Sequence, residues 1–348
     1  MPMQFADAFE RFAQACPRAP ADAQLAQSPL KLDGFFTGGW RADSLQGVFD
    51  EASTVELEFS PMEAASSEVK LQNGTCIRPA RHPVAMRDAL KLLREGEAAR
   101  GHHAYLRQTD LNKQASVGRL APVERALRYS TSRRFFQATF WLGDGSMRTP
   151  FHHDDYDNLL LMLAGAKRIL MLPPAARPLL LPRDFDEARW VFAPATGRFN
   201  GLFLTGNGID NHYQLDAFDL GGGDEAALEE VGSQATICEL RAGEALYMPA
   251  GWAHAVLSQP DTASELGLNF AVNVWYETAE RARMEDLYRL GCTAIAGAFF
   301  LVSMSPSLRR LLGLESRDTE SDGTTSGDGQ TRGGGTGRRG ERRNERKK

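Results

Sequence analysis

Short apolar runs, separated by turn-forming residues, constrain the fold of this chain more than any other feature. Gly, Pro and Asp residues lie between the runs, and no helical periodicity continues through them. Many short strands with turn signals between them are typical of a β-sandwich or a closed β-barrel. The runs that predict strands in the central part of the chain are 135–142, 159–163, 168–172, 236–240, 245–248 and 268–276.

Helical patterns flank this central part. Phe5, Phe9 and Phe12 have the spacing of a short amphipathic helix. Residues 83–95 predict a second helix with a proline at its first position. Residues 278–314 predict further helices, and their apolar stretch is shorter than the roughly 20 residues that span a bilayer. We therefore expect a buried or dimer-forming helix there and no membrane anchor.

Charge is distributed unevenly along the chain. Residues 331–348 hold 8 basic and 2 acidic residues, a net charge of +6, which leaves 32 basic and 43 acidic residues, a net charge of −11, in the rest. An acidic body is poorly suited to a phosphate backbone and favours a basic protein partner. Nucleic acid is expected only at the basic tail, whose Arg/Gly clusters indicate either a tether or a solvated end.

Cysteine spacing and missing motifs exclude several classes of protein. The four cysteines are widely separated, which excludes a disulfide framework, a cysteine zinc finger and a thioredoxin motif. Scattered cysteines fit a reducing compartment, and residues 1–16 lack the apolar segment of a secretory signal, so we expect a cytoplasmic or nuclear protein. Neither a P-loop nor a dinucleotide-binding glycine motif is present.

A histidine and a carboxylate lie two residues apart at His152 and Asp154, and His254 follows the apolar run 245–248. Residues at i and i+2 on a strand point to the same face, so this pair can bind one metal ion. Two imidazoles and one carboxylate form the ligand set of non-haem Fe(II) sites, although zinc, manganese or nickel would also accept it. The alternative is that both histidines are structural.

A lysine, Lys167, opens the apolar strand after this pair. A lysine inside a barrel is costly unless it meets an anion. A dicarboxylic cosubstrate that chelates the metal with one end would supply that anion with the other. The alternative is a lysine that extends to solvent from the start of the strand.

Three segments resemble a known family in order and spacing: 140–174, 241–254 and 271–276. They are similar to the core of the JmjC-domain, or cupin-like, 2-oxoglutarate oxygenases, and most similar to the small JmjC protein hydroxylases. The resemblance covers residues 105–276 well. It implies a mainly β fold, a double-stranded β-helix (jelly-roll or cupin barrel) with N-terminal and C-terminal helical additions.

The resemblance also implies roles for individual residues. His152, Asp154 and His254 would bind Fe(II), and no catalytic residue beyond this triad is implied. Lys167 would form a salt bridge to the distal carboxylate of 2-oxoglutarate. The supporting hydroxyl and amide groups around the cosubstrate would come from Thr149, Tyr105, Asn158 and Asn273.

The H-x-D motif can be placed in two registers, because two histidines and two aspartates are adjacent in the sequence. His153 and Asp155 form a second H-x-D, shifted by one residue to the opposite face of the strand. The family spacing places threonine, asparagine and lysine at −3, +6 and +15, and only counting from His152 gives these residue types. We therefore expect His153 and Asp155 to face outward or towards substrate, and His212 to be structural or solvent-facing.

Four parts of the chain follow from these patterns. Residues 1–28 are an N-terminal helix and link, and residues 29–277 a JmjC/cupin-like catalytic domain. Residues 278–314 are C-terminal helices and a candidate for homodimerisation, and residues 315–348 a disordered basic tail. Within the catalytic domain, 178–235 is expected to carry substrate contacts, with a solvated acidic loop at 216–235.

The function implied by the resemblance is that of an Fe(II)- and 2-oxoglutarate-dependent dioxygenase. It would use O₂ to hydroxylate a protein side chain, lysine being favoured, with release of succinate and CO₂. The same site leaves two other reactions open, N-methyl-lysine demethylation and hydroxylation of a modified tRNA base. Different classes also remain, either a catalytically silent cupin module that binds metal or a partner, or a zinc or manganese cupin isomerase or hydrolase.

Overall fold

A computed structural model gives the fold of the chain. It describes residues 5–20, 27–36, 47–62, 69–70, 74–129, 133–144, 147–218, 225–265, 267–278 and 283. All of them belong to one compact unit, Met1–Leu287, while the second unit, Tyr288–Lys348, lies outside the described residues. The helices predicted after Thr278 and the predicted basic tail lie outside them too, apart from Arg283.

Strands dominate the described residues. Their bounds are β1 Gln14–Ala15, β2 Arg18–Pro20, β3 Leu30–Asp33, β4 Thr54–Pro61, β5 Val69–Lys70, β6 Thr75–Arg78, β7 Ala80–Ala85, β8 His102–Asp110, β9 Phe135–Gly143, β10 Arg148–His152, β11 Asp157–Ala164, β12 Ala166–Leu172, β13 Phe185–Ala193, β14 Arg198–Ile209, β15 Thr236–Arg241, β16 Ala245–Met248, β17 Ala253–Gln259 and β18 Asn269–Tyr276. Five of the six strand runs predicted from the sequence lie within one of these strands, and the sixth, 268–276, begins one residue before β18.

The helices are short. They are α1 Asp7–Phe12, α2 Met86–Glu95, α3 Glu97–Arg100, α4 Ala115–Gly118, α5 Ala121–Tyr129 and α6 Glu225–Gln234, with 3₁₀ turns at Leu111–Lys113 and Pro174–Leu180. Within the described part of the chain, none of them has the length and apolarity needed to cross a bilayer.

Two facing sheets form the barrel. One has the strand order β1-β15-β12-β17-β10 and the other β2-β3-β16-β11-β18-β9-β8-β4-β7. Strands β10 to β12 and β15 to β18 alternate between the sheets along the chain, apart from the β12–β15 pair, which is the connectivity of a jelly roll. The sheets enclose an apolar core that includes Leu160, Met162, Ile169 and Met171. The predicted jelly-roll fold is confirmed.

The outer faces of both sheets are also covered. Leu159, Leu161 and Leu163 point away from the barrel interior into a second core cluster beneath α2 and α5. Every residue of β11 is therefore buried, which explains why this strand is continuously apolar instead of alternating. The third sheet, β14-β13-β6-β5, contributes Phe192 to the same cluster.

The N-terminal helix α1 and α6 cover the five-stranded sheet of the barrel. Phe5, which lies just before α1, and Phe9 of α1 are buried in one cluster with Val231, which belongs to α6. The expected solvated loop at 216–235 is thus wrong for residues 225–234, because the apolar side of this segment packs against α1. The link between α1 and β3 also contains β1 and β2, which pair with β15 and β3.

The helix predicted from Pro83 begins three residues later. Pro83 lies in β7 opposite Glu56, and the pairing with β4 continues to Ala85. Strand β7 is at the edge of its sheet, where a residue without a backbone N–H is tolerated. Helix α2 therefore begins at Met86, whose N–H donates to the carbonyl oxygen of Ser53 at 2.8 Å.

Candidate metal and cosubstrate site

The three predicted metal ligands converge at one end of the barrel. His152 at the end of β10 and His254 at the start of β17 are direct partners across these antiparallel strands. Asp154 follows β10, and its Oδ2 lies 3.5 Å from Nε2 of His254. One ligand atom from each residue lies within 4.8 Å of the others. The donor set and its spacing fit a divalent metal ion such as Fe(II).

Backbone carbonyls orient both imidazoles. Nδ1 of His152 lies 2.9 Å from the carbonyl oxygen of Pro150, and Nδ1 of His254 lies 3.0 Å from that of Trp252. Because a carbonyl oxygen only accepts, these contacts place the proton on Nδ1 and leave Nε2 for a metal. Burial, with a smaller contribution from His152, lowers the pKa of His254 to about 4, so this imidazole is neutral at physiological pH.

Hydrogen bonds join the loops that carry the two halves of the triad. The N–H of Gly251 donates to the carbonyl oxygen of Asp154 at 2.8 Å. The N–H of Ala250 donates to Oδ1 of Asp157 at 2.9 Å. Gly251 has a φ of +79°, a conformation that glycine adopts without strain, and this turn brings its N–H to Asp154.

A cavity opens beside the triad. Its lining includes all the other residues that the family resemblance pointed to, although they come from five different strands. Tyr105, Asn158, Lys167 and Asn273 are buried, whereas Thr149 is half-buried. The structure thus brings every predicted site residue to one place: Tyr105, Thr149, His152, Asp154, Asn158, Lys167, His254 and Asn273.

Lys167 presents a buried amine at the inner end of this cavity. Its Nζ donates to Oγ of Ser258 at 2.7 Å and lies 3.5 Å from the hydroxyl of Tyr105. Within the described part of the chain, no carboxylate forms a salt bridge with it, and burial lowers its pKa to about 7. A buried amine with two hydroxyl neighbours and no counter-ion is suited to receive a carboxylate.

Sequence reasoning missed Ser258. It is the register partner of Lys167 across β12 and β17. Residues 254, 256 and 258 alternate along β17, so Ser258 faces the same side as His254, a predicted metal ligand. That alternation was the signal that could have identified it.

Tyr105 depends on a glycine opposite it. Tyr105 and Gly143 are register partners on β8 and β9. A Cβ atom on Gly143 would overlap Cδ2 of Tyr105, so only glycine leaves room for the ring. Burial raises the pKa of the Tyr105 hydroxyl, which keeps it protonated and able to donate.

Two amides, those of Asn158 and Asn273, line the same cavity. Nδ2 of Asn273 donates to Oδ1 of Asn158 at 2.9 Å. The remaining oxygen, Oδ1 of Asn273, is buried without a hydrogen-bond partner in the described structure. A buried acceptor in the wall of the cavity is a second sign that the cavity is built to hold a polar ligand.

The neighbouring histidines have other partners. Nδ1 of His153 lies 2.9 Å from the hydroxyl of Tyr213 and its Nε2 lies 3.1 Å from Arg177, so it is not part of the ligand group. His212 is buried, and its ring stacks on that of His152 with centroids 5.6 Å apart. His212 is therefore not solvent-facing, and its packing against His152, a predicted metal ligand, agrees with the structural alternative.

Comparison with known proteins agrees with this geometry. The lysine-specific demethylase JMJ32 of Arabidopsis thaliana is 29% identical over 145 residues, 39% of this chain and 40% of that protein. The human bifunctional peptidase and (3S)-lysyl hydroxylase JMJD7 is 31% identical over 157 residues, 40% of each chain. The lysine-specific demethylase JMJ31 of Arabidopsis thaliana is 26% identical over 147 residues, 42% of this chain and 22% of that protein.

These matches span less than half the length of each relative. The match to the X-ray structure of E. coli ycfD covers 93% of this chain and 63% of that chain, with 16% identity and a TM-score of 0.38. This similarity is too low to bear on function. The sequence profile of the Cupin-like domain matches residues 22–282, most of the chain. The chain therefore belongs to the cupin-like domain family, with JmjC proteins as its relatives.

Proposed function

We propose that this protein is an Fe(II)- and 2-oxoglutarate-dependent oxygenase that hydroxylates a protein side chain. The observation that carries the proposal is the pairing of two features in one cavity. A two-histidine, one-carboxylate triad lies at one end, and the buried amine of Lys167, which forms no salt bridge within the described residues, lies at the other. A dicarboxylic 2-oxo acid is a ligand that satisfies both ends.

The roles of the residues follow from their chemistry. His152, Asp154 and His254 would hold Fe(II), with the two histidines neutral and presenting Nε2. Lys167 would hold the distal carboxylate of 2-oxoglutarate, with hydroxyl donors from Tyr105 and Thr149. When bound, iron and 2-oxoglutarate supply the oxidising power that converts O₂ and a C–H bond into a hydroxyl group, succinate and CO₂.

The rest of the wall orients and shields these groups. Asn158 and Asn273 offer amide groups in the cavity wall, where a bound polar ligand would need a hydrogen-bond partner. Trp141, Trp275 and Leu160 line the cavity with apolar surface, which restricts water and strengthens the polar contacts inside it. The chain thereby contributes geometry and a dry site, while the bound groups contribute the reactivity.

Lysine is the favoured target residue. Two of the relatives above are named as lysine-specific demethylases and one as a lysyl hydroxylase. The net charge of −11 on residues 1–330 favours a basic protein as substrate. Demethylation of N-methyl-lysine is the second candidate, because hydroxylation of an N-methyl group at the same site leads to its loss. The acidic body makes a tRNA base the less favoured substrate.

Succinate release with Fe(II), 2-oxoglutarate and ascorbate tests the class of the protein. We expect release by the wild-type protein and none by Asp154→Ala. Mass spectrometry of a lysine-peptide array then separates the two reactions, because hydroxylation adds 16 Da and demethylation removes 14 Da. A folded, iron-loaded wild-type protein that releases no succinate would contradict the proposal and favour a silent cupin module or a zinc or manganese enzyme.

Three further predictions rest on segments outside the described residues or on composition. Homodimerisation through 278–314, a nucleic-acid tether in 315–348 and a cytoplasmic or nuclear location remain proposals. Size-exclusion chromatography of the full chain and of a chain ending at residue 277 would test the first, provided that the shorter chain folds.

A further inference from the structure

Gln108 has a backbone conformation that residues other than glycine rarely adopt. Its φ is +48°, and among the described non-glycine residues only Leu181 also has a positive φ. Leu181 ends a 3₁₀ helix, where a left-handed residue is a common termination. Gln108 lies inside strand β8, where no such reason applies. Backbone strain of this kind concentrates at sites of binding and catalysis.

A β-bulge produces this conformation. Leu106 pairs with Leu142 and Thr109 pairs with Phe140, so two residues of β8, Arg107 and Gln108, lie opposite a single residue of β9. That residue is Trp141, which lines the cavity of the metal site. Bulges commonly occur next to active sites, where they change the direction of a side chain.

The bulge separates a charged side chain from a neutral one. The guanidinium of Arg107 forms a salt bridge with Glu58, with Nε 3.1 Å from Oε2. Gln108 lines the same cavity as the metal triad, and it is exposed whereas Tyr105 and Lys167 are buried. Gln108 is therefore at the mouth of the cavity, and the carboxylate-binding group is at its inner end.

We propose that Gln108 positions the protein substrate by hydrogen bonding to one of its peptide groups at the mouth of the cavity. This inference rests on the proposed function and deepens it. A glutamine amide offers one acceptor oxygen and two donor hydrogens, which match the N–H and C=O of a peptide unit. Because the amide carries no charge, it would bind the main chain of the substrate. It would therefore accept any side chain at the neighbouring positions of the substrate.

The test compares Gln108→Ala and Gln108→Gly with the wild-type protein and with Gln234→Ala, an exposed glutamine at the end of α6. The probe is a lysine-peptide array in which each backbone nitrogen is methylated in turn. Peptide Kd is measured on Mn(II)-loaded protein with 2-oxoglutarate, and KM and kcat on Fe(II)-loaded protein. The Kd measurement does not depend on turnover.

We expect Kd and KM for the best peptide to rise about tenfold in both Gln108 variants, as expected for a partner left unsatisfied. The Kd of 2-oxoglutarate and the behaviour of Gln234→Ala should stay within twofold of wild type. Methylation of one particular backbone nitrogen of the peptide should raise its Kd for the wild-type protein about tenfold. The same methylation should not raise the Kd for the Gln108 variants any further. The melting temperature should be higher for Gln108→Gly than for Gln108→Ala, because glycine relieves the positive φ.

Three results would overturn the proposal. Peptide Kd values within twofold of wild type would show that Gln108 makes no contact with substrate. A parallel loss of 2-oxoglutarate binding would assign Gln108 to the cosubstrate instead. Absence of peptide binding by the wild-type protein would remove the peptide partner altogether. Peptide binding that depends on Gln108 without any turnover would support Gln108 and contradict the proposed oxygenase.

Discussion

His152 and His254, which are about a hundred residues apart in the chain, are direct partners across β10 and β17 with ring centroids 4.2 Å apart. Each donates Nδ1–H to the carbonyl two residues before it, so the two rings present their other nitrogens. The pairing register of two strands thus sets the distance between two predicted metal ligands. Asp154 completes the group because the loop after β10 is held by Gly251.

The first prediction concerns the register of the H-x-D motif. We expect His152→Ala and Asp154→Ala to lose iron and all metal-dependent succinate release, because each removes a donor from the triad. His153→Ala should keep most of both, since its ring is bonded to Tyr213 and Arg177 outside the group. Iron content by mass spectrometry and succinate release check this. Activity retained by His152→Ala and lost by His153→Ala would show that the register is shifted by one.

The second prediction concerns the pH dependence of 2-oxoglutarate binding. Burial lowers the pKa of Lys167 to about 7, and a bound carboxylate would raise it again by favouring the charged amine. Below pH 7 the amine is already charged, so affinity should change little with pH. Above pH 7 binding must take up one proton, so Kd should rise up to about tenfold per pH unit until the pKa of the complex is reached.

Calorimetry on Mn(II)-loaded protein in buffers of different ionisation enthalpy measures this proton uptake. It should approach one proton at pH 8.5 and be close to zero at pH 6, by the pKa that Lys167 has before binding. Lys167→Met is the control, and it should bind 2-oxoglutarate weakly without this proton uptake. Equal uptake by wild type and variant would show that another group is responsible.

The third prediction concerns the space that Gly143 leaves for Tyr105. A Cβ at this position overlaps the ring, so Gly143→Ala should weaken 2-oxoglutarate binding and cost roughly 1–3 kcal/mol of unfolding free energy by overpacking. Gly118→Ala is the matched control, because no atom lies within 4 Å of its added Cβ. Chemical denaturation and 2-oxoglutarate titration check both variants. Normal binding by Gly143→Ala would mean that Tyr105 is not needed for the cosubstrate.

The fourth prediction concerns the attachment of the N-terminal helix. Phe9 is buried and packs edge-on against Phe151, the residue before the ligand His152. Phe9→Ala should cost about 3–5 kcal/mol of unfolding free energy, as expected for a buried phenylalanine. Phe12→Ala should cost less, because Phe12 is only half-buried. A negligible loss for Phe9→Ala would show that α1 is not part of the cooperative fold.

Local pattern explains what could be predicted of the fold. The apolar runs correspond to strands because each strand of the barrel is covered on one or both faces. The buried positions therefore carry apolar residues, which are visible in the sequence. Elements without such an apolar pattern were predicted wrongly. Helix α6 was predicted as a loop, and the start of α2, which is Met86, was predicted at Pro83. In both cases a contact with a distant segment decides the outcome.

The candidate site divides in the same way. By itself, the sequence determined the ligand types and the order of His152, Asp154, Lys167 and His254, because residue identity and alternation along one strand are local properties. Only the tertiary structure decided that Ser258 faces Lys167, that His212 stacks on His152 and that a bulge turns Gln108 to the cavity mouth. These relationships depend on the register between strands far apart in the chain, which hydrogen bonding and packing settle only when the barrel closes.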